Sequence, residues 1–309
     1  MATLRLTLII ILLLTTHLLM GQARISNDPP EVIAVFEAMY QYDLREAEKM
    51  LNSLDQKRIN SNLIELTRAN LLWWWLISGD ESRDYAREME SGLKSLIDKQ
   101  KLKPIERMSQ DELFTMVHAY AYLTRLDIFR EKYFKGILNL SSTMKYLEAI
   151  LVQHDRYDKF MLVAGLYHYF ASATMTEYPI FIPFFALAPK SNRQLGYQLL
   201  KKCSAMPNLL IQNEALYYTM KINYQLEKKF NEALLIADQL IQSYPNNLTY
   251  QFHRMMILLD AGRDTDALVQ YQRLRQVSAT APYLNQSQRD HMVDEARKKL
   301  EKKKINLTI

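Results

Sequence analysis

The sequence predicts an all-α fold, an α-solenoid of antiparallel helix pairs with about six pairs and a C-terminal capping helix. Three observations carry that expectation. Helix breakers are sparse, with 7 Gly and 9 Pro in 309 residues against 49% hydrophobic residues, a balance that favours helix over sheet. Apolar residues recur at three- and four-residue spacing along nearly the whole chain, the period of amphipathic helices. Finally, Glu227-Lys-Lys-Phe-Asn-Glu-Ala233 recurs in kind as Asp260-Ala-Gly-Arg-Asp-Thr-Asp-Ala267, which sets Ala233 and Ala267 34 residues apart. That spacing is the period of a helix-turn-helix solenoid repeat.

Residues 1–23 read as an address, not as part of the fold. Arg5 supplies a basic start, Leu6 to Met20 is an apolar run of 15 residues, and Gly21-Gln22-Ala23 has the small-residue spacing of a cleavage site. As a helix such a run reaches about 22 Å, short of the roughly 30 Å hydrocarbon core, so a cleaved signal peptide is favoured over an anchor. Gln22 stands where a lipoprotein needs Cys, which excludes lipid attachment at this site. The mature chain is therefore expected to be exported, and either periplasmic or associated with the outer membrane.

The helix pairs follow in order. Pro30 to Tyr42 and Asp43 to Leu54 make the first, with Pro30 suited to a first helical turn and Ala47 as the small residue of the second helix. Asn62 to Ser78 and Glu81 to Lys99 flank the turn Gly79-Asp80. Lys101 to Met108 is a linker, after which Ser109 and Glu112 have capping-box spacing. The third pair runs to Phe129 and resumes from Tyr133 to Val152, with Gly136 as a small contact residue. Asp158 to Met175 and Asn192 to Ala205 form the fourth, split by an apolar insert over 178–189 that carries three prolines. Those prolines exclude regular helix, yet the insert is too apolar for an ordinary solvated loop. Tyr178, Phe181, Phe184 and Phe185 are its candidate contact residues. A divergent array over 24–205 thus precedes two regular repeats over 206–281. The segment 282–309 supplies the capping helix, Asn285 to Lys304, and a tail.

In residues 214–247, Tyr217, Tyr224, Ala233, Ala237 and Pro245 fall where tetratricopeptide repeats place their aromatic residues, small residues and closing proline. Residues 248–281 retain Leu258, Ala267 and Tyr271, but depart with Gln251 and Arg254 at usually apolar positions and Ala279 in place of the proline. Both segments resemble the tetratricopeptide-repeat family. Upstream, Arg68-Ala-Asn-Leu-Leu-Trp-Trp-Trp75, the Gly-Leu-Tyr-His-Tyr core before Phe170, and Asn192-Arg-Gln-Leu-Gly196 look like divergent exported members of that family in Gram-negative bacteria. The resemblance implies a right-handed superhelix and protein interaction, and it points to no reaction. In that register the concave groove is lined by Tyr218, Ile222, Gln225, Phe252, Met256 and Asp260. These are mostly apolar and aromatic, so an apolar or amphipathic segment fits better than a charged C-terminal tail.

Composition narrows the function classes. The net charge of +5 is modest and the basic residues are interspersed with acidic ones, which argues against a nucleic-acid partner. Cys203 is the only cysteine and cannot form an internal disulfide. No Walker loop, His-Glu-x-x-His, Cys-x-x-Cys or nucleophile elbow is present, and no cofactor or metal site is expected. His168 with Glu177 is the remaining candidate pair for hydrolytic chemistry, although Tyr167, Tyr169 and Phe170 favour a packing role for that histidine. Trp73, Trp74 and Trp75 lie about 100° apart on a helix, so one or two should pack and the third should reach a groove or solvent. The expected function is a non-enzymatic scaffold or adaptor for protein–protein interaction in the bacterial cell envelope. The alternative is a peripheral membrane protein that uses the insert.

Overall fold

Short polar side chains start most of the helices. Asp43, Asn60, Asp84, Ser109, Asn192, Asn208, Asn247 and Asn285 each accept a hydrogen bond from a backbone N–H of the following turn, satisfying donors that have no partner within the helix. Ser109 with Glu112, and Asn285 with Gln288, complete reciprocal capping boxes. The computed structural model describes residues 28–55, 57–177, 182 and 188–305. The leader at 1–23 and the insert residues Tyr178, Phe181, Phe184 and Phe185 lie outside these.

The described residues form thirteen α-helices and no strand. They are α1 (Pro30–Tyr40), α2 (Leu44–Asn52), α3 (Ser61–Ile77), α4 (Tyr85–Gln100), α5 (Gln110–Phe129), α6 (Tyr133–Leu151), α7 (Asp158–Glu177), α8 (Arg193–Cys203), α9 (Leu209–Lys221), α10 (Phe230–Ser243), α11 (Leu248–Asp260), α12 (Asp264–Thr280) and α13 (Gln286–Lys302). A 3-10 turn, Ile105–Arg107, occupies the linker before α5, and a π-turn, Ile222–Leu226, extends α9. Helices α1 to α12 pack two by two in chain order, and α13 lies against α11 and α12. None of the described helices is long and apolar enough to cross a membrane.

Four of the pairs share one turn. Tyr42, Glu131, Lys228 and Gly262 each adopt positive φ, of 69°, 58°, 55° and 73°. In every case one residue follows before the second helix begins. The N–H of that residue reaches back to the first helix, in Asp43 to Ala38 O, Lys132 to Asp127 O and Arg263 to Leu258 O, at 2.7–2.9 Å. These are Schellman closures, which satisfy the last carbonyls of the first helix. Five residues beyond each positive-φ position stands a small side chain: Ala47, Gly136, Ala233 and Ala267. The three alanines are fully buried, and a Cβ on Gly136 would lie 3.3 Å from Ile128 Cγ1. Small residues there let the two helices approach closely.

The α7–α8 pair, interrupted by the insert, achieves that approach differently. A Cβ on Gly196 would stand 2.3 Å from Tyr169 N, and one on Gly165 would press on Leu200. Arg193, at the start of α8, pairs with Glu177 at the end of α7 and with Glu227 beyond α9. The two flanks of the insert are thereby tied together. Cys203 sits fully buried against this pair, its thiol pushed up to about 12 chiefly by burial, as a core residue and not a reactive one.

Contacts between the ends of the chain close the array on itself. Asn247, the cap of α11, donates to Tyr40 O at 2.9 Å, and Tyr283 donates to Gln41 O at 3.0 Å. Tyr40 also donates to Glu214 of α9. On the other side, Asn285 donates to Asp80, Ser287 to Gly79 O and Gln288 to Ser78, so that the first turn of α13 rests on the turn between α3 and α4. Gly79, at φ 80°, has His291 against it where a Cβ would stand.

Candidate functional site

Trp73, Trp74 and Trp75 show how α3 sits among its neighbours. All three are buried, at 8%, 8% and 4% exposure, so the expectation that one reaches solvent is corrected. Trp74 meets Tyr40, Tyr42 and Tyr250 edge-on, while Trp75 stacks on Tyr85 of α4 with ring planes 4° apart. Trp73 faces α5, where Phe129 meets its edge and the Arg125 guanidinium lies 3.8 Å from its ring centroid. Helix α3 is enclosed on three sides, a consequence of long-range packing that periodicity does not reveal.

Arg125 belongs to a cluster of side chains from α3, α5, α7, α9 and α11, most of them partly exposed, which we call the recess. Within it Asn70 donates to the Tyr122 hydroxyl at 2.8 Å. Helix α9 contributes Glu214, Tyr217, Tyr218 and Lys221, all within electrostatic reach of Arg125. Tyr217 pairs with His253 of α11 at 3.3 Å, and Tyr218 meets Phe170 of α7 edge to face. Apart from the buried Asn70, these residues are half-buried: protein surrounds them, but each keeps some open surface.

Burial dominates the electrostatics of the recess. It pushes Lys221 down to about 8, helped by the Arg125 charge, and His253 down to about 3, helped by Lys221. It raises the Glu214 carboxyl against the opposing pull of Arg125 and the Tyr40 hydrogen bond. Tyr217 is pushed up to about 12 for the same reason. At neutral pH the histidine is therefore uncharged, the tyrosines are hydrogen-bonding neutrals, and positive charge resides on Arg125 and Lys221.

The expected groove residues separate. Tyr218, Phe252 and Met256 are half-buried, and Phe252 adjoins His253 at the recess. Ile222 has no exposed surface and belongs to the core shared by α7, α8 and α9; it is corrected from groove to core. The π-turn begins at this residue: its bond from Glu227 N to Ile222 O spans five residues, adding one residue to a turn and rotating the side chains that follow. Gln225 is thereby left exposed, and Asp260 accepts from Tyr224 at 2.7 Å and pairs with Lys303 at the end of α13. Neither Arg125 nor Lys221 is among the site residues that the sequence singles out. A charged residue on the otherwise aromatic stretch Tyr120-Ala-Tyr-Leu-Thr-Arg125 was the available signal.

His168 and Glu177 do not come together as a reactive pair. His168 is buried, its Nδ1 lacks a hydrogen-bond partner, and burial lowers its pKa, while Glu177 is engaged with Arg193. Among the described residues no cluster of His, Cys, Asp and Glu has metal-holding geometry. A separate cavity of about 410 Å³ is bordered by Asp28, Asp158 and Lys159. Its acids are already bonded, since Lys159 donates to Asp28 at 2.6 Å and Asn208 bridges Asp28 and Asp158 at 3.2 Å. That network fastens the start of the fold to α7 and α9. No protein-family model, curated protein or solved structure matches the chain.

Proposed function

We propose that this chain is a non-enzymatic, exported tetratricopeptide-like α-solenoid that holds a protein segment in its central recess within the bacterial cell envelope. The observation that carries the reading is the repeated turn, in which a positive-φ residue precedes a buried small residue by five positions in four helix pairs. Repeats of this kind build concave surfaces whose usual work is recognition. The recess supplies such a surface, with aromatic walls and few charges. Asn70 with Tyr122, Tyr217 with His253 and Tyr40 with Glu214 are bonded in pairs around it, an arrangement that suits recognition. Export rests on the leader read at residues 1–23.

The test is capture from an envelope fraction with the mature chain and with a Tyr218→Ala/Phe252→Ala double variant that melts at the wild-type temperature. A partner retained by the wild type and lost from the variant is the expected outcome. Recovery of no partner, or equal recovery by both proteins, sinks the reading.

A second reading is peripheral attachment to a membrane through the insert, and one described surface favours it. Ile128, Phe129, Tyr133, Phe134 and Leu138 are all at least half exposed around the α5–α6 turn, with Phe134 at 73%. Such an apolar corner beside Lys132 and Lys135 suits an anionic interface. Flotation with anionic liposomes decides: loss of binding on Phe184→Asp implicates the insert, loss on Phe134→Asp implicates the corner, and no flotation at low salt removes the reading.

A further inference from the structure

We propose that Arg125 and Lys221 form an oxyanion site in the recess, which takes a single carboxylate carried on an aromatic or aliphatic body. The guanidinium carbon of Arg125 lies 3.8 Å from the Trp73 ring centroid. None of its five N–H donors bonds to an acceptor among the described residues, and together they form a fork suited to two parallel bonds with a carboxylate. Among the described residues no such acceptor is provided. Every Asp and Glu of the sequence lies among the described residues, and none forms an ion pair with Arg125 or with Lys221. Lys221 likewise meets only a ring, that of Tyr217, at 5.6 Å.

Glu214 does not fill the gap. Its carboxylate accepts from Tyr40 at 3.4 Å, on the side of the recess floor where α1 meets α9. With Glu214 ionised the recess holds two cations against one anion, so one further negative charge balances it. Ungathered donors in a poorly solvated place are costly to leave unsatisfied, and a bound carboxylate satisfies both. The surroundings select what carries that carboxylate. The cations sit on the rings of Trp73 and Tyr217, and Tyr218, Phe170 and Phe252 continue the aromatic surface through ring contacts, so a densely charged ligand such as inorganic phosphate would forfeit contacts that a phenyl or alkyl body gains.

This inference takes the recess as the binding site, as the reading above does, and names the chemistry that it selects. The probes are benzoate, its neutral counterpart benzamide, inorganic phosphate, and an acetylated, amidated Phe-Glu-Phe peptide with its Phe-Gln-Phe control. Calorimetric titration of the mature chain should show one benzoate or one Glu peptide bound, with benzamide, phosphate and the Gln peptide at least about tenfold weaker. Arg125→Gln and Lys221→Met should each weaken the carboxylate by about tenfold or more. Arg125→Lys, which keeps the charge and the recess but loses the fork, covers the case in which the glutamine variant fails to fold, and it too should weaken binding. Benzoate and peptide both binding assigns the site to small organic anions, and peptide alone assigns it to an acidic residue of a partner. Binding that survives these substitutions, or none at all, overturns the proposal. A chain that binds benzoate but captures no envelope protein keeps this site and loses the scaffold reading, and the converse result does the opposite.

Discussion

At the scale of single residues, Trp74 joins the first helix pair to α11. Its ring contacts Tyr40, Tyr42 and Tyr250, on α1, the first turn and α11. Trp74→Ala should cost about 3–5 kcal/mol in urea unfolding, because the rings around it cannot collapse into the space; a loss under about 1 kcal/mol would contradict this packing. Gln225→Ala, at an exposed position, should change stability by no more than about 0.5 kcal/mol. Glu90 provides a pH signature. Lys135 and Lys94, with Arg130, hold its carboxyl down to about 2 against a smaller opposing effect of burial. A carboxyl depressed in the folded state contributes stability above its unfolded value of about 4.3, and that contribution fades as pH falls from there to about 2. Glu90→Gln should therefore lower stability at neutral pH and flatten the acid limb of the curve. An unchanged acid limb would show that the three cations do not act on it. The direction of the tryptophans was legible from helical geometry, which puts consecutive residues on different faces. Their common burial was not, because it depends on α5 and α11, which lie about fifty and more than a hundred residues away in the chain.

At the scale of elements, boundaries were the most legible feature. The capping signal at Ser109 starts α5 where expected, α8 begins one residue after the expected Asn192, which serves as its cap, and the Gly79 turn ends α3. The small residues Ala47, Gly136, Ala233 and Ala267 were also readable, since only compact side chains suit a close helix crossing. Their shared turn was hidden, because three of its four positive-φ residues are Tyr42, Glu131 and Lys228 instead of glycine. A β-carbon in that conformation is unfavourable, so Lys228→Gly should stabilise the chain by about 0.5–1 kcal/mol, detectable as a shift in the urea midpoint. A loss of stability would mean that the turn is not formed as described. Gly196→Ala should do the reverse and lower the melting temperature strongly, since the added carbon would meet Tyr169 backbone at 2.3 Å and force α7 from α8. The π-turn was the feature with no sequence signature. One extra residue in a backbone bond leaves composition and periodicity almost untouched, yet it rotates the residues that follow Ile222, Gln225 among them.

At the scale of the whole molecule, the first and last helix pairs meet, and Asn247 sits at the junction. Its side chain accepts from Tyr250 N to cap α11 and donates to Tyr40 O across the junction. Asn247→Ala should cost about 2–4 kcal/mol, combining a lost cap with a carbonyl left unpaired. Asn247→Asp keeps the cap and loses only the donor, so it should cost less; equal losses would show that the junction bond contributes nothing. The number of pairs was legible from helical periodicity, because each pair buries its own stripe. Closure was not, because Asn247 and Tyr40 carry no pattern that announces a contact across two hundred residues. That junction sets a fixed circumference. Open repeat arrays gain or lose whole units without harm, since each unit touches only its neighbours. Here an added helix pair would drive α11 away from Tyr40 and strand both faces of the junction in water. The length of the chain is therefore part of its fold, and the recess that this length encloses has a size that repeat duplication cannot adjust.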